Sequence, residues 1–168
     1  MRLTVLFGSR RLWTLAVIAL LVVVAPLAVP ALAFAATPDT ELAKLVATDA
    51  VADHELGAAV AIDGSTVVAG AEGDNSWMGA AYVFVQSAGT WSQQAKLIAS
   101  GTPSVEVFGQ SVSISGDTIV VGADDSISTA GAAYVFVRSG STWTQEAKLT
   151  AFDSASGDAF GRSVGISG

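Results

Sequence analysis

A single histidine, His54, stands between Asp53 and Glu55. Imidazole beside carboxylate is the pairing from which general bases and metal ligands are built, because the carboxylate fixes the tautomer and raises the basicity of the ring. Here the positions related to His54 by the internal repeat described below hold Glu106 and Asp158, so His54 reads as a solvated polar turn. The chain has no cysteine, which removes thiolate ligands for zinc and any disulfide. Carboxylates gather at Glu72 and Asp74 and again at Asp124 and Asp125 with Ser126. They offer oxygens to a cation, but the preferred reading is a charged loop that keeps apolar strands soluble. "DSASGDAFG" starts like a calcium loop, yet its first, third and fifth positions are Asp153, Ala155 and Gly157, which fails the alternation of oxygen ligands that calcium needs. Trp91 and Trp143 occupy matching repeat positions, as packing residues do, rather than as a stacking platform for sugars. Trp77, in "EGDNSWMG", faces Thr129 in the other copy. It is the residue best suited to a surface contact. No set of nucleophile, base and orienting group emerges, and no enzyme is expected.

The elements that would position these side chains begin after an unusual start. Arg2, Arg10 and Arg11 precede an uncharged stretch from Leu12 to Ala36 that ends in Ala33-Phe34-Ala35. A basic start, an apolar centre and a small-residue end are the three parts of a secretory signal peptide. Residues 1–35 are therefore expected to be removed after Ala35 and 36–42 to form a short linker; Pro26 and Pro30 weigh against a retained membrane anchor. "SRRLW" at 9–13 also fits a twin-arginine export signal, but the strongly apolar centre suits the general secretory route better. Loss of the segment leaves five basic residues against all 15 acidic ones, a net charge of −10. Such a surface repels phosphate backbones and anionic lipid, so no nucleic-acid partner and no membrane after cleavage are expected.

Beyond that segment the chain repeats. "AKL" begins at 43, 95 and 147, "GAAYVFV" at 79 and 131, and 43–94 matches 95–146 at 24 of 52 positions without a gap. Each 52-residue unit reads as four strands separated by turn residues. In the second unit these are 110–115, 117–123, 132–138 and 142–150, joined by Gly116-Asp117, by the longer "DDSISTAG", and by Ser139-Gly140-Ser141. In "AAYVFV", Ala132, Tyr134 and Phe136 alternate with Ala133, Val135 and Val137, and both sets are apolar. A strand with no solvent side belongs inside a stack of sheets. The fold class is thus all-β: a partial β-propeller of four-stranded antiparallel blades. Two complete repeats, 43–94 and 95–146, are followed by a truncated third at 147–168. A lone fourth strand is expected near 42–48 and a lone first strand at 161–167.

"FGQSVSISGDTIVVGA" from Phe108 to Ala123, followed by "GAAYVFVRSGSTWTQEAKL", resembles the FG-GAP repeat of integrin alpha propellers and of many secreted bacterial proteins. The motif residues are Phe108 and Gly109, Phe160 and Gly161, the diverged pair Leu56 and Gly57, and the Gly-Ala pairs Gly70 and Ala71, Gly122 and Ala123. Asp124 and Glu72 stand where the family name has proline. Calcium-binding members carry an aspartate-rich loop between the Phe-Gly and Gly-Ala strands; here that link is "SISGDTI" in one copy and "AIDGSTV", with Asp63 alone, in the other. A two-residue hairpin cannot supply six to eight oxygens, so no calcium or other cofactor is expected. The resemblance implies an extracellular interaction or adhesion module that binds a protein or glycan. Apolar blade faces left open at the ends are expected to drive self-association. A secreted propeller enzyme, hydrolase-like, whose site lies in further blades is the alternative. The chain is expected to be the amino-terminal part of a longer propeller.

Overall fold

The computed structural model describes residues 41–100, 107–124 and 130–168. The predicted signal peptide, Glu106, and residues 125–129 of the second unit's long loop lie outside them.

Among the described residues eight strands form two sheets. The first contains β1 (Val60–Asp63), β2 (Thr66–Ala71), β3 (Ala80–Ser87) and β4 (Thr90–Leu97), and the second β5 (Phe108–Ser115), β6 (Thr118–Ala123), β7 (Ala132–Ser139) and β8 (Thr142–Leu149). Both are antiparallel meanders in chain order. They repeat in detail: Val68 faces Val83 and Val120 faces Val135 across the middle pairs, and an irregularity falls between Val83 and Phe84 and again between Val135 and Phe136. The turns are tight because the sequence places glycine where φ must be positive, as at Gly116 (φ 55) between β5 and β6 and Gly140 (φ 63) between β7 and β8. The fold is all-β, two blades of a partial β-propeller.

Alternation within β3 and β7 sorts the core. Val68, Ala81, Val83 and Leu97 of the first sheet pack with Phe108, Ile119, Val121, Tyr134, Phe136 and Trp143 of the second into one buried cluster. The opposite face of the first sheet, with Ala69, Ala71, Ala80, Tyr82 and Phe84, is covered by Leu45, Ala47 and Leu56 from the preceding segment. Phe108 stands edge-on to Tyr134 and Phe136, with ring centroids 5.4 and 6.0 Å away. Burying each such side chain stabilises the junction by about 1.5–3 kcal/mol.

Glycine lets the sheets touch through main chain. A Cβ on Gly70 would lie 1.8 Å from the Gly109 carbonyl oxygen, and one on Gly122 would lie 1.9 Å from that of Gly161. Gly79 bridges Phe108 and Gly131 bridges Phe160, both in parallel. The Phe-Gly pair is therefore the point at which each unit is joined to the one before it.

Two expectations are corrected. Residues 42–48 and 161–167 do not form strands, because a strand is defined by its ladder and, among the described residues, neither segment has an adjacent strand to pair with. They keep the right positions nonetheless: the Thr48 amide donates to Gln93 (2.9 Å) as the Ser100 amide does to Gln145 (2.8 Å), and Ser111 Oγ donates to the Gly161 carbonyl (2.7 Å). The β7–β8 turn is also shorter than predicted, only Gly140-Ser141, since β7 extends to Ser139.

Candidate functional site

Tyr82 shares the face of β3 with Ala80 and Phe84, fully buried apart from the need of its hydroxyl for a partner. Two carboxylates meet it: Asp74 Oδ2 at 2.6 Å and Asp49 Oδ1 at 2.9 Å. A phenol has one proton to give, and the shorter contact takes it. Lys96 compensates the second approach. Its Nζ, 5.2 Å above the Tyr82 ring, donates to Asp49 Oδ2 (2.7 Å) and to both oxygens of Asp74 (2.8 and 3.0 Å). Residues 47 positions apart in the chain are thereby tied together.

The charges reinforce one another. Burial by itself would lower the Lys96 pKa, but hydrogen bonds to Asp49 and Asp74 outweigh it and hold the ammonium above the usual lysine range. Tyr82 is raised by burial and then by the bond to Asp74. Asp49 is held below the usual carboxylate range, chiefly by the Lys96 hydrogen bond. At neutral pH this is a fixed ion cluster, with Lys96 protonated and Tyr82 a phenol.

His54 belongs to the same cluster, contrary to the reading of a solvated turn. Its side chain is only 20% exposed and Nδ1 lies 3.2 Å from Asp74 Oδ2, an ion-pair distance without the alignment of a hydrogen bond. Folding of the 45–56 segment onto the first sheet brings it there. Nearby, Glu72 is raised by burial and by a hydrogen bond with Glu55.

Asp74, 2% exposed, opens a turn of uncommon conformation. Asn75, Ser76 and Trp77 have φ of 50°, 59° and 69°, three successive left-handed residues, none of them glycine. Each costs roughly 1–2 kcal/mol in isolation. The turn is closed by the Gly79 amide on the Asp74 carbonyl (2.9 Å) and anchored to the next unit by the Val107 amide on the Trp77 carbonyl (3.2 Å). It leaves Trp77 49% and Met78 40% exposed. A cavity of about 630 Å³ lies beside it, lined by the apolar Val51, Met78, Ile98 and Ala99, by the polar His54, Asp74, Asn75 and Lys96, and by Gly79.

In the second unit Lys148 stands 5.2 Å above the Tyr134 ring, as Lys96 stands above Tyr82. The residues matching Asp49, His54 and Asp74 are Gly101, Glu106 and Ser126, all outside the described residues. Asp124 is buried there (5% exposed), with Oδ1 unbonded. Among the described residues no three His, Asp or Glu converge as metal ligands. Of the motif residues, Phe108, Gly109, Gly70, Gly122 and Gly161 meet at the joints between units, while Trp77 lies in a turn whose residues Asp74, Asn75 and Met78 line the cavity. The sequence reading named Trp77 but missed the cluster. Its available signal was a tyrosine inside a strand buried on both faces, together with a lysine recurring in every "AKL".

A family model described as FG-GAP repeat matches residues 40–84, 91–136 and 143–168. The chain belongs to the FG-GAP repeat family. The three matches follow the three copies of the motif, and the two sheets are its blades. No individual curated protein matches the chain.

Proposed function

We propose that this FG-GAP chain is a secreted interaction module that binds an extracellular protein or glycan through the exposed Trp77 and the cavity lined by its neighbours Asn75 and Met78. The observation that carries this reading is the left-handed turn at Asn75–Trp77. Unfavourable backbone conformations persist where surrounding structure enforces them, and they cluster at ligand contacts. This one holds out a half-exposed tryptophan and methionine, residue types that anchor interfaces. The ion cluster below supplies rigidity: it fixes Asp74, the first residue of the turn, to both the preceding segment and β4. Secretion rests on the three-part start of the sequence.

The secreted-enzyme reading draws on His54 beside Asp74. Binding is favoured over it because Lys96 and Tyr82 are both held in their protonated forms and no hydroxyl among the described residues is bonded to His54 as a nucleophile would be. The test is biolayer interferometry of the purified chain against extracellular matrix proteins and glycans. Trp77→Ala is expected to weaken a captured partner at least tenfold while leaving the melting temperature unchanged. A partner indifferent to Trp77→Ala, or hydrolysis of chromogenic esters or glycosides lost in His54→Ala, would overturn the proposal.

A further inference from the structure

The chain has two methionines, Met1 and Met78, and no cysteine, so Met78 carries the one sulfur atom among the described residues. It ends the left-handed turn. Asn75 Nδ2 donates to Met78 Sδ at 3.1 Å, a bond that ties the first left-handed residue of the turn to the residue that follows the last. The same side chain lines the cavity with Val51, Ile98 and Ala99 and is 40% exposed. Sulfur is not needed here by the repeat. The Phe108 amide donates to the Met78 carbonyl (3.2 Å), and in the second unit the Phe160 amide donates to the carbonyl of Ala130 (2.9 Å), the residue that matches Met78. The joint between units is thus made equally well with a methyl side chain, and the match of Asn75 is Ile127. The thioether and its amide donor belong to the turn alone.

We propose that Met78 is a site of reversible oxidation that sets the conformation of the Asn75–Trp77 turn. A thioether is a weak acceptor, and the exposed bond from Asn75 engages only one of its two lone pairs, leaving the other to meet a peroxide. That lone pair attacks one peroxide oxygen: the O–O bond breaks, an S–O bond forms, and the departing hydroxide takes the proton of the transferred oxygen and leaves as water. Sulfur is oxidised and the peroxide reduced. The sulfoxide oxygen is a stronger acceptor than sulfur and stands one bond length further out, so the Asn75 amide must move to follow it, while a polar oxygen is poorly placed beside Val51, Ile98 and Ala99. Both contacts of the side chain change together. Three successive left-handed residues, Asn75, Ser76 and Trp77, persist only while their surroundings enforce them. Asp74 keeps its bonds to Tyr82 and Lys96 and the joint at Phe108 stays made, so the release is confined to Asn75–Met78. The inference goes beyond the binding reading and needs no partner.

The experiment treats the purified chain with hydrogen peroxide and follows peptide mass, tryptophan emission, cleavage by a nonspecific protease, and the melting curve. Met78 is expected to gain one oxygen at a rate within a few-fold of that of N-acetylmethionine amide. Emission should shift to the red, and cleavage within 74–79 should quicken at least about tenfold while the melting temperature stays unchanged. The two methionine sulfoxide reductases, one for each epimer, should reverse these changes, which separates oxidation of sulfur from that of tryptophan. Met78→Leu keeps an apolar side chain without sulfur and should give no response to peroxide. Met78→Gln places a polar oxygen at similar reach and should be cleaved fast untreated; Trp77→Phe should lose the emission shift and keep the fast cleavage. Oxidation of Met78 far slower than that of the free amide would show a shielded sulfur, and an oxidised chain cleaved at the parent's rate would show a turn independent of it. A response that persists in Met78→Leu would place the reaction elsewhere, and a melting temperature that falls with oxidation would mean general damage. Each of these outcomes overturns the inference.

Discussion

The first and second sheets carry the same strand heptad, yet equivalent residues meet different surroundings. Leu97 is 3% exposed and Leu149, its match, 44%; Ile114 is 8% exposed and Ile62 65%. The side chains are identical within each pair, so the difference lies in neighbours. Leu97 faces the second sheet, whereas the matching face of that sheet meets, among the described residues, the 160–168 segment; Ile114 faces the first sheet, whereas Ile62 looks outward. What a repeat sequence encodes is a residue able to be buried, and the adjoining unit decides whether it is.

Backbone contacts between units offer the sharpest way to break the comparison. Gly109 has φ +99° and a Cβ there would lie 2.3 Å from the Ala80 carbonyl oxygen; Gly161 has φ +89° and the same clash, at 2.0 Å, with Ala132. Gly109→Ala should cost roughly 3–5 kcal/mol or abolish cooperative unfolding. Gly161→Ala should cost about 1–2 kcal/mol, by releasing only the terminal segment. Urea unfolding and limited proteolysis separate the two; equal losses would show that both joints carry the fold. Side chains come next. Leu97→Ala is expected to lose about 2–4 kcal/mol and Leu149→Ala less than about 1 kcal/mol, since less apolar area is removed from contact. Equal values would mean that Leu149 is covered in solution.

The smallest effect is a pH dependence arising at Glu72 in the first unit. Glu72 is raised from 4.5 by burial and by Glu55, so the folded state favours its protonated form. Its contribution to stability is full below the unfolded value and fades as pH rises through the folded one. Glu72→Gln should therefore match the parent near pH 4 and exceed it at neutral pH by less than about 1 kcal/mol, after allowance for solvent screening. Melting temperatures across that range check the sign. A variant less stable at neutral pH would mean that the ionised carboxylate is the form the fold uses.

Strands were the legible part of this molecule because they are written locally. Alternation in "QSVSIS" and "AAYVFV" and the glycines at the turns specify β5 to β8 to within one or two residues at their ends. The Asp49–Asp74–Tyr82–Lys96 cluster was not legible, since it joins a segment, a loop and two strands whose meeting depends on how the sheet is covered. His54 was misread for the same reason: flanking carboxylates signalled solvent, while its actual partner, Asp74, lies 20 residues along the chain. Main-chain strain at Asn75–Trp77 leaves no mark in composition, as none of those residues is glycine.

The glycine contacts of Gly70 with Gly109 and of Gly122 with Gly161 bear on how such a chain arises. A joint made of main-chain atoms sets the distance and pitch between neighbours independently of side-chain identity. A duplicated stretch of coding sequence then yields a part that already fits its parent. Selection has only to keep small residues at the joint while loops diverge; the two copies differ at 28 of 52 aligned positions and still meet at the same atoms. Novelty can accumulate in a loop such as Asp74–Trp77 of one copy without renegotiating the scaffold that carries it.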